Sequence, residues 1–254
     1  MDNQEQGDVY DLTPIADCRY CPYRQRLLLM GRCVPGDVCV RAESGRQIDR
    51  FFKINPELAV QYLDDAFWER RAVAVRYVPQ RELSKKANDT DEAVRRAVAY
   101  RLPRDQLHTM MRDSDREVRI TVVDRLPLDQ VENMADDPDY LVRAYVAQRL
   151  PEGRLFRLIR DPDRQVRKLV AQRLPPASLG MMLNDSEPEV RRVIAGRCEQ
   201  DELAILLQDD DWTVRLAAVE RAPAAVLEAA LNDDDEEVRS FAKQRLDSLN
   251  LEDS

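Results

Sequence analysis

Glycine is scarce in this chain, at 7 of 254 residues, which argues against the glycine-rich loops that cradle nucleotides. Aromatic residues make up only 6%, too sparse for a platform on which successive bases stack. A single histidine, His108, has no partner at any repeated position, so histidine-based acid–base or metal chemistry is not expected. The longest apolar run, Leu27-Leu28-Leu29-Met30, is far too short to span a bilayer. The opening residues Met1 to Asp8 are acidic and polar, where a secretory leader has a basic start and an apolar core. The expectation is a protein of the reducing cytoplasm, away from membranes. There the five cysteines serve as metal ligands or core residues rather than as disulfides. No catalytic constellation is visible, no catalytic residue is assigned, and the chain is not expected to be an enzyme.

What is present first is cysteine. Cys18, Cys21, Cys33 and Cys39 follow the pattern Cys-x2-Cys, eleven residues, Cys-x5-Cys. A Cys-x-x-Cys step places two thiolates on one turn, and two further thiolates complete a four-ligand shell. Tetrahedral zinc and cubane iron–sulfur clusters both accept this set. The uneven second pair, and Pro22 directly after Cys21, lean toward iron–sulfur. Arg19, Arg24, Arg26 and Arg32 surround the ligands and would help hold thiolates deprotonated. Tyr23 to Met30 suggests a short helix, and Pro35-Gly36 a turn before Cys39.

From residue 64 onward the chain repeats every 24 residues. Val-Arg recurs at Val94-Arg95, Val118-Arg119, Val142-Arg143, Val166-Arg167, Val190-Arg191, Val214-Arg215 and Val238-Arg239, and reaches back to Arg70-Arg71. Arg-Leu-Pro recurs at Arg101, Arg125, Arg149 and Arg173, and an aspartate column runs from Asp65 through Asp233. A period without insertions marks a solenoid. Within one unit, Asp115 is an expected helix N-cap, Val118, Val122 and Leu126 form one apolar face, and Pro127 stops the helix. Leu128 to Met134 then form a shorter second element. Twenty-four residues cannot hold two full helices and two turns, so this element is expected to be 3₁₀ in character, with no β-sheet.

The unit Asp-x-Asp-x-x-Val-Arg-x-x-Val-Ala-x-Arg-Leu-Pro, behind a four-cysteine segment, resembles the bacterial leucine-rich repeat variant (LRV) family over essentially the whole chain. The resemblance implies an all-α, right-handed superhelical solenoid of alternating α- and 3₁₀-helices. It also implies a small N-terminal domain holding a 4Fe–4S cluster on Cys18, Cys21, Cys33 and Cys39, and brings no established activity. Glu199 and Asp247 depart from the repeat proline, and Cys198 and Ala222 from the repeat leucine.

The expected domains are a cysteine-rich segment over 1–55, a solenoid of about eight units over 56–247, and an acidic tail over 248–254. Ile54, Leu58, Tyr62 and Leu63 are read as a leading half-unit. Charge is uneven: residues 201–254 hold 15 acids and 5 bases, a net −10, while the first 200 residues net +1. That end should repel polyanions. Cys198 stands in a leucine column and reads as core. Met110, Met111, Met134, Met181 and Met182 also read as core. Tyr100, Tyr140, Tyr145, Trp212 and Phe241 recur at no fixed column and mark a contact face. The arginine column could track phosphates, but matched aspartates favour an internal ion-pair ladder.

The function these features favour is an iron–sulfur repeat protein that binds a protein partner through its solenoid. Its cluster would transfer electrons, sense redox state or stabilise the N-terminal cap. The alternatives are a redox-silent scaffold with structural zinc or a structural cluster, and a nucleic-acid-binding solenoid, which is disfavoured.

Overall fold

A computed structural model describes residues 18–252. The chain divides into two compact units, Met1–Arg125 and Leu126–Ser254. Among the described residues there is no β-strand; the isolated bridge is Val34 with Val38. The cysteine segment lies in the first of these units with the first repeats, and five aromatic rings link the two. Tyr23 packs on Phe51, Phe51 on Phe52, and Phe52 on Tyr62 and Tyr77, with ring centroids 5.3–6.1 Å apart. Ile54, read as part of the leading half-unit, points to solvent instead, and Phe51 and Phe52 are fully buried.

In the N-terminal unit the long helices are Gly45–Ile54, Trp68–Val75, Glu92–Arg101 and Arg116–Arg125. In the C-terminal unit they are Tyr140–Arg149, Arg164–Arg173, Pro188–Ala195, Trp212–Val219 and Glu236–Glu252. The start signals read from sequence act as expected. Asp91, Asp139, Asp163 and Asp211 each accept a hydrogen bond from the backbone N–H two residues on, at 2.8–3.0 Å. Asp115 accepts from Glu117 and Val118. These caps satisfy N–H groups that have no partner inside the helix. At the other end Leu102, Leu150 and Leu174 turn extended before the proline, as a residue preceding proline must. Where Asp247 replaces that proline, the stop is lost and the last helix runs on to Glu252. Residues 248–252 are therefore helix, and 253–254 lie outside the described residues, as do 1–17.

The second elements are 3₁₀ over Pro56–Tyr62, Arg104–Met110, Glu152–Leu158 and Pro176–Met182. Their three-residue period buries Leu107 with Met110, Leu155 with Leu158, and Leu179 with Met182. The same period leaves Met181 exposed and Met111 only half-buried, so two of the five methionines are not core. Gln200–Leu206 and Ala224–Ala230 are α-helical instead. Their runs of Ala, Leu and Glu are strong helix formers, which tips a short element toward the α geometry. Burying a Val or Leu contributes about 1.5–3 kcal/mol, whereas ordering the backbone costs about 1–2 kcal/mol per residue. One unit's few apolar side chains cannot offset that alone, so the units stack.

Two arginine columns join neighbouring repeats within each unit. The Val-Arg column is an ion-pair ladder. Arg71, Arg95, Arg143, Arg167, Arg191 and Arg215 each grip the aspartate eighteen residues on through Nε and Nη2, at 2.6–3.0 Å. Nη1 of each donates to the carbonyl of the aspartate six residues back. The gripped aspartate also accepts from the N–H two residues on, which fixes the turn into the next helix. The Arg-Leu-Pro column was unassigned in the sequence. Arg101, Arg125, Arg173, Arg197 and Arg221 donate to carbonyls at the C-terminal end of the preceding repeat's helix, 26 residues back. A cation there satisfies open carbonyls and complements the helix dipole.

Candidate metal centre

The Cys18–Cys21 step closes as one turn, with the Cys21 N–H donating to the Cys18 carbonyl at 3.3 Å. A five-residue π-type turn, Arg24–Leu28, follows in place of the expected helix and is anchored by buried Leu27. Gly31, at φ +67°, lets the Arg32 N–H reach back to the Leu27 carbonyl at 2.9 Å, a left-handed stop that favours glycine. Pro35 and Gly36 form the expected turn. Gly36 has φ +83° and the Asp37 N–H donates to the Val34 carbonyl at 3.1 Å, which is type II geometry with proline first and glycine second.

Helix Gly45–Ile54 holds this loop in place. The Cys39 N–H donates to the Gln47 carbonyl at 3.2 Å, and Gln47 Nε2 donates to the Gly36 carbonyl at 2.6 Å. Asn55 Nδ2 donates to the Arg32 carbonyl at 2.9 Å, beside Cys33. Gln47 and Asn55 are 2% and 0% exposed. The sequence reading missed both. The available signal was a polar residue at positions 47 and 55, on the helical face of Phe51.

Cys33 and Cys39 are buried, and Cys18 and Cys21 are half-buried. Burial, then the charges of Cys39, Cys21 and Cys18, push the Cys33 thiol up to about 11. Burial also raises Cys39, against backbone N–H groups of Arg41 and Ala42 that donate to its sulfur. The four predicted residues thus occupy one electrostatic neighbourhood. Buried thiols that raise one another ionise together only around a cationic centre, so the donor set suits a thiolate-ligated group. Among the described residues, no three His, Cys, Asp or Glu side chains converge tightly enough to hold a single metal ion. Cys198 lies elsewhere, in the C-terminal unit, 1% exposed in the repeat leucine column. His108 is exposed, with Nδ1 at 2.7 Å from the Asp105 carbonyl.

Comparison with known proteins fits this architecture. Residues 14–61 match the family described as the LRV protein FeS4 cluster, and residues 92–115 and 140–163 match the leucine rich repeat variant. A solved structure described as a leucine-rich repeat variant with a novel repetitive protein structural motif is 65% identical, with a TM-score of 0.87. The match covers 92% of this chain and 100% of that one.

The chain belongs to the leucine-rich repeat variant family.

A curated relative, an uncharacterized 27.7 kDa protein in the nifB 3′ region of Rhodobacter capsulatus, is 38% identical over 87 residues. That match spans 34% of this chain and 35% of the relative. As an LRV protein the chain has helical repeats without strands among its described residues, and its FeS4-type segment spans the four cysteines.

Proposed function

We propose that this protein is a non-enzymatic iron–sulfur repeat protein of the cytoplasm. In this reading Cys18, Cys21, Cys33 and Cys39 ligate a 4Fe–4S cluster, and the repeats present a surface to a macromolecular partner. The observation that carries it is the gathering of four cysteines into one partly buried neighbourhood within the segment that matches the FeS4 family. A bound cluster would supply one-electron chemistry. The chain's own residues hold the ligand loop, through Gln47 and Asn55, and supply N–H donors at the Cys39 sulfur. Cys18 and Cys21 are half-buried, which leaves the centre near the surface, as electron exchange with a partner requires. No helix among the described residues is long and apolar enough to cross a membrane.

A redox-silent cap is the second reading, favoured by the aromatic cluster that joins the cysteine segment to the first repeats. The first measurement is the iron, sulfide and zinc content of protein purified without oxygen, with its visible spectrum. About four irons and four sulfides per chain, with absorption bleached by dithionite, is the expected result. One zinc and a colourless sample would overturn it. Reversible reduction then separates a redox role from a cap.

A further inference from the structure

The N-terminal unit carries a cleft of about 790 Å³ on the face formed by helices Gly45–Ile54, Trp68–Val75 and Glu92–Arg101. Ala72 and Val73 are buried in its floor. Trp68 and Tyr100 stand in its walls, 42% and 59% exposed. Both rings are only partly covered by the repeat packing. The aromatic pattern is also more regular than the sequence reading allowed. Trp68, Tyr140 and Trp212 lie 72 residues apart in one column, each opening its helix, and Tyr145 and Phe241 share another.

The arginines of this cleft are not those of the ladder. Arg95 is locked onto Asp113, while its neighbour Arg96, about 100° further round the helix, is exposed and has no ion pair or hydrogen bond among the described residues. Arg46 is exposed and equally unpaired. Arg76, with its side chain 60% exposed, reaches Asp49 at 3.3 Å. In other repeats the Arg96 column holds Ala72, Ile120, Ala144, Lys168, Arg192, Leu216 and Ser240, so a cation there is no requirement of the fold. Two unpaired guanidiniums beside two exposed aromatic rings, over an apolar floor, match the residue types that dominate binding energy at protein interfaces. The volume lies within the range of ordinary ligand clefts. Asp49 and Glu69 in the same walls interrupt any continuous phosphate track, which disfavours a nucleic acid.

We propose that this cleft docks an acidic segment of a protein partner. Trp68 and Tyr100 are its apolar anchors, and Arg46 and Arg96 take its carboxylates. The proposal rests on the reading that the repeats bind a partner, and is independent of which metal the cysteines hold. Helix Gly45–Ile54 serves both sites, since Arg46 lines the cleft while Gln47 holds the Cys39 loop.

The test is a selection from a displayed random peptide library on the purified full-length protein. The strongest peptide is then titrated against a W212F variant, in which Trp68 is the remaining tryptophan reporter. Enrichment of acidic peptides that change Trp68 fluorescence is expected. Their affinity should fall at least about tenfold in R46E/R96E and with rising salt, while R46K/R96K retains most of it. Thermal unfolding confirms that the variants are folded. No enrichment, enrichment of peptides without acidic residues, or binding indifferent to R46E/R96E overturns the proposal. So does a poly-dT oligonucleotide whose binding depends on the same arginines, since that makes the cleft a nucleic-acid site. Iron content is read separately on each sample: its absence sinks the cluster reading and leaves the docking result standing.

Discussion

Arg143 and Asp161 meet across two consecutive repeats in a two-pronged ion pair, Nε to Oδ2 at 2.7 Å and Nη2 to Oδ1 at 2.9 Å. Their side chains are 10% and 2% exposed. The third nitrogen, Nη1, donates to the Asp137 carbonyl at 2.8 Å, and Asp161 also accepts from the Asp163 N–H at 2.8 Å. One arginine therefore ties its own repeat's turn to the next. Arg71, Arg95, Arg167, Arg191 and Arg215 make the same connection, and this is where the column that could have tracked phosphates is spent.

Breaking one rung should be costly. D161A leaves the Arg143 charge buried without its partner, which costs about 3–5 kcal/mol. Removing Glu132 from its exposed pair with Arg154, at 3.1 Å, should cost no more than about 1 kcal/mol. Urea denaturation of both variants checks the contrast. Similar midpoints would mean that the ladder adds no more than a surface pair.

The ladder also sets an acid limit. The hydrogen bond from Arg215 holds the Asp233 carboxyl below its ordinary value. A depressed native value means that this stabilisation is complete above the unfolded aspartate value of about 3.9. It is lost as pH falls through the lower native value. Stability should thus be flat near neutrality and decline below about pH 4, and D233N should flatten that decline. Calorimetric melting from pH 7 to pH 2.5 measures it, and an unchanged acid slope in D233N would sink the assignment.

Glu199 stands where other repeats have proline, at φ −65° and ψ 156°. Those angles already suit a pyrrolidine ring. E199P should raise stability by about 0.4–1 kcal/mol, by reducing the freedom of the unfolded chain. Asp247 is the opposite case, because it lies within the helix Glu236–Glu252. D247P should lose about 3 kcal/mol locally. Melting temperatures moving in opposite directions are the expected signature.

The ligand assignment makes its own prediction. C33S and C39S should lose iron and sulfide, while C198S, changed in a buried leucine column, should keep both and lose some stability. Metal and sulfide analysis of the three variants decides it; full iron in C33S would remove Cys33 from the ligand set.

Much of this was legible in the sequence because the repeat states it many times over. The period fixed which valines and leucines share a face, which aspartates cap, and where proline ends each helix. Each of those is a local property of a few adjacent residues. The spacing of Cys18, Cys21, Cys33 and Cys39 likewise marked the candidate centre, since two thiols on one turn is a local matter. Tertiary structure decided what depends on neighbours distant in sequence. It assigned the Arg101-type column to carbonyls of the preceding helix, and buried Gln47 and Asn55 to hold the cysteine loop. It turned Met181 and Ile54 outward, and it parted Arg95 from Arg96. One arginine found a carboxylate in the next repeat and the other faced an open cleft, because side-chain direction around a helix has meaning only once its neighbours are in place.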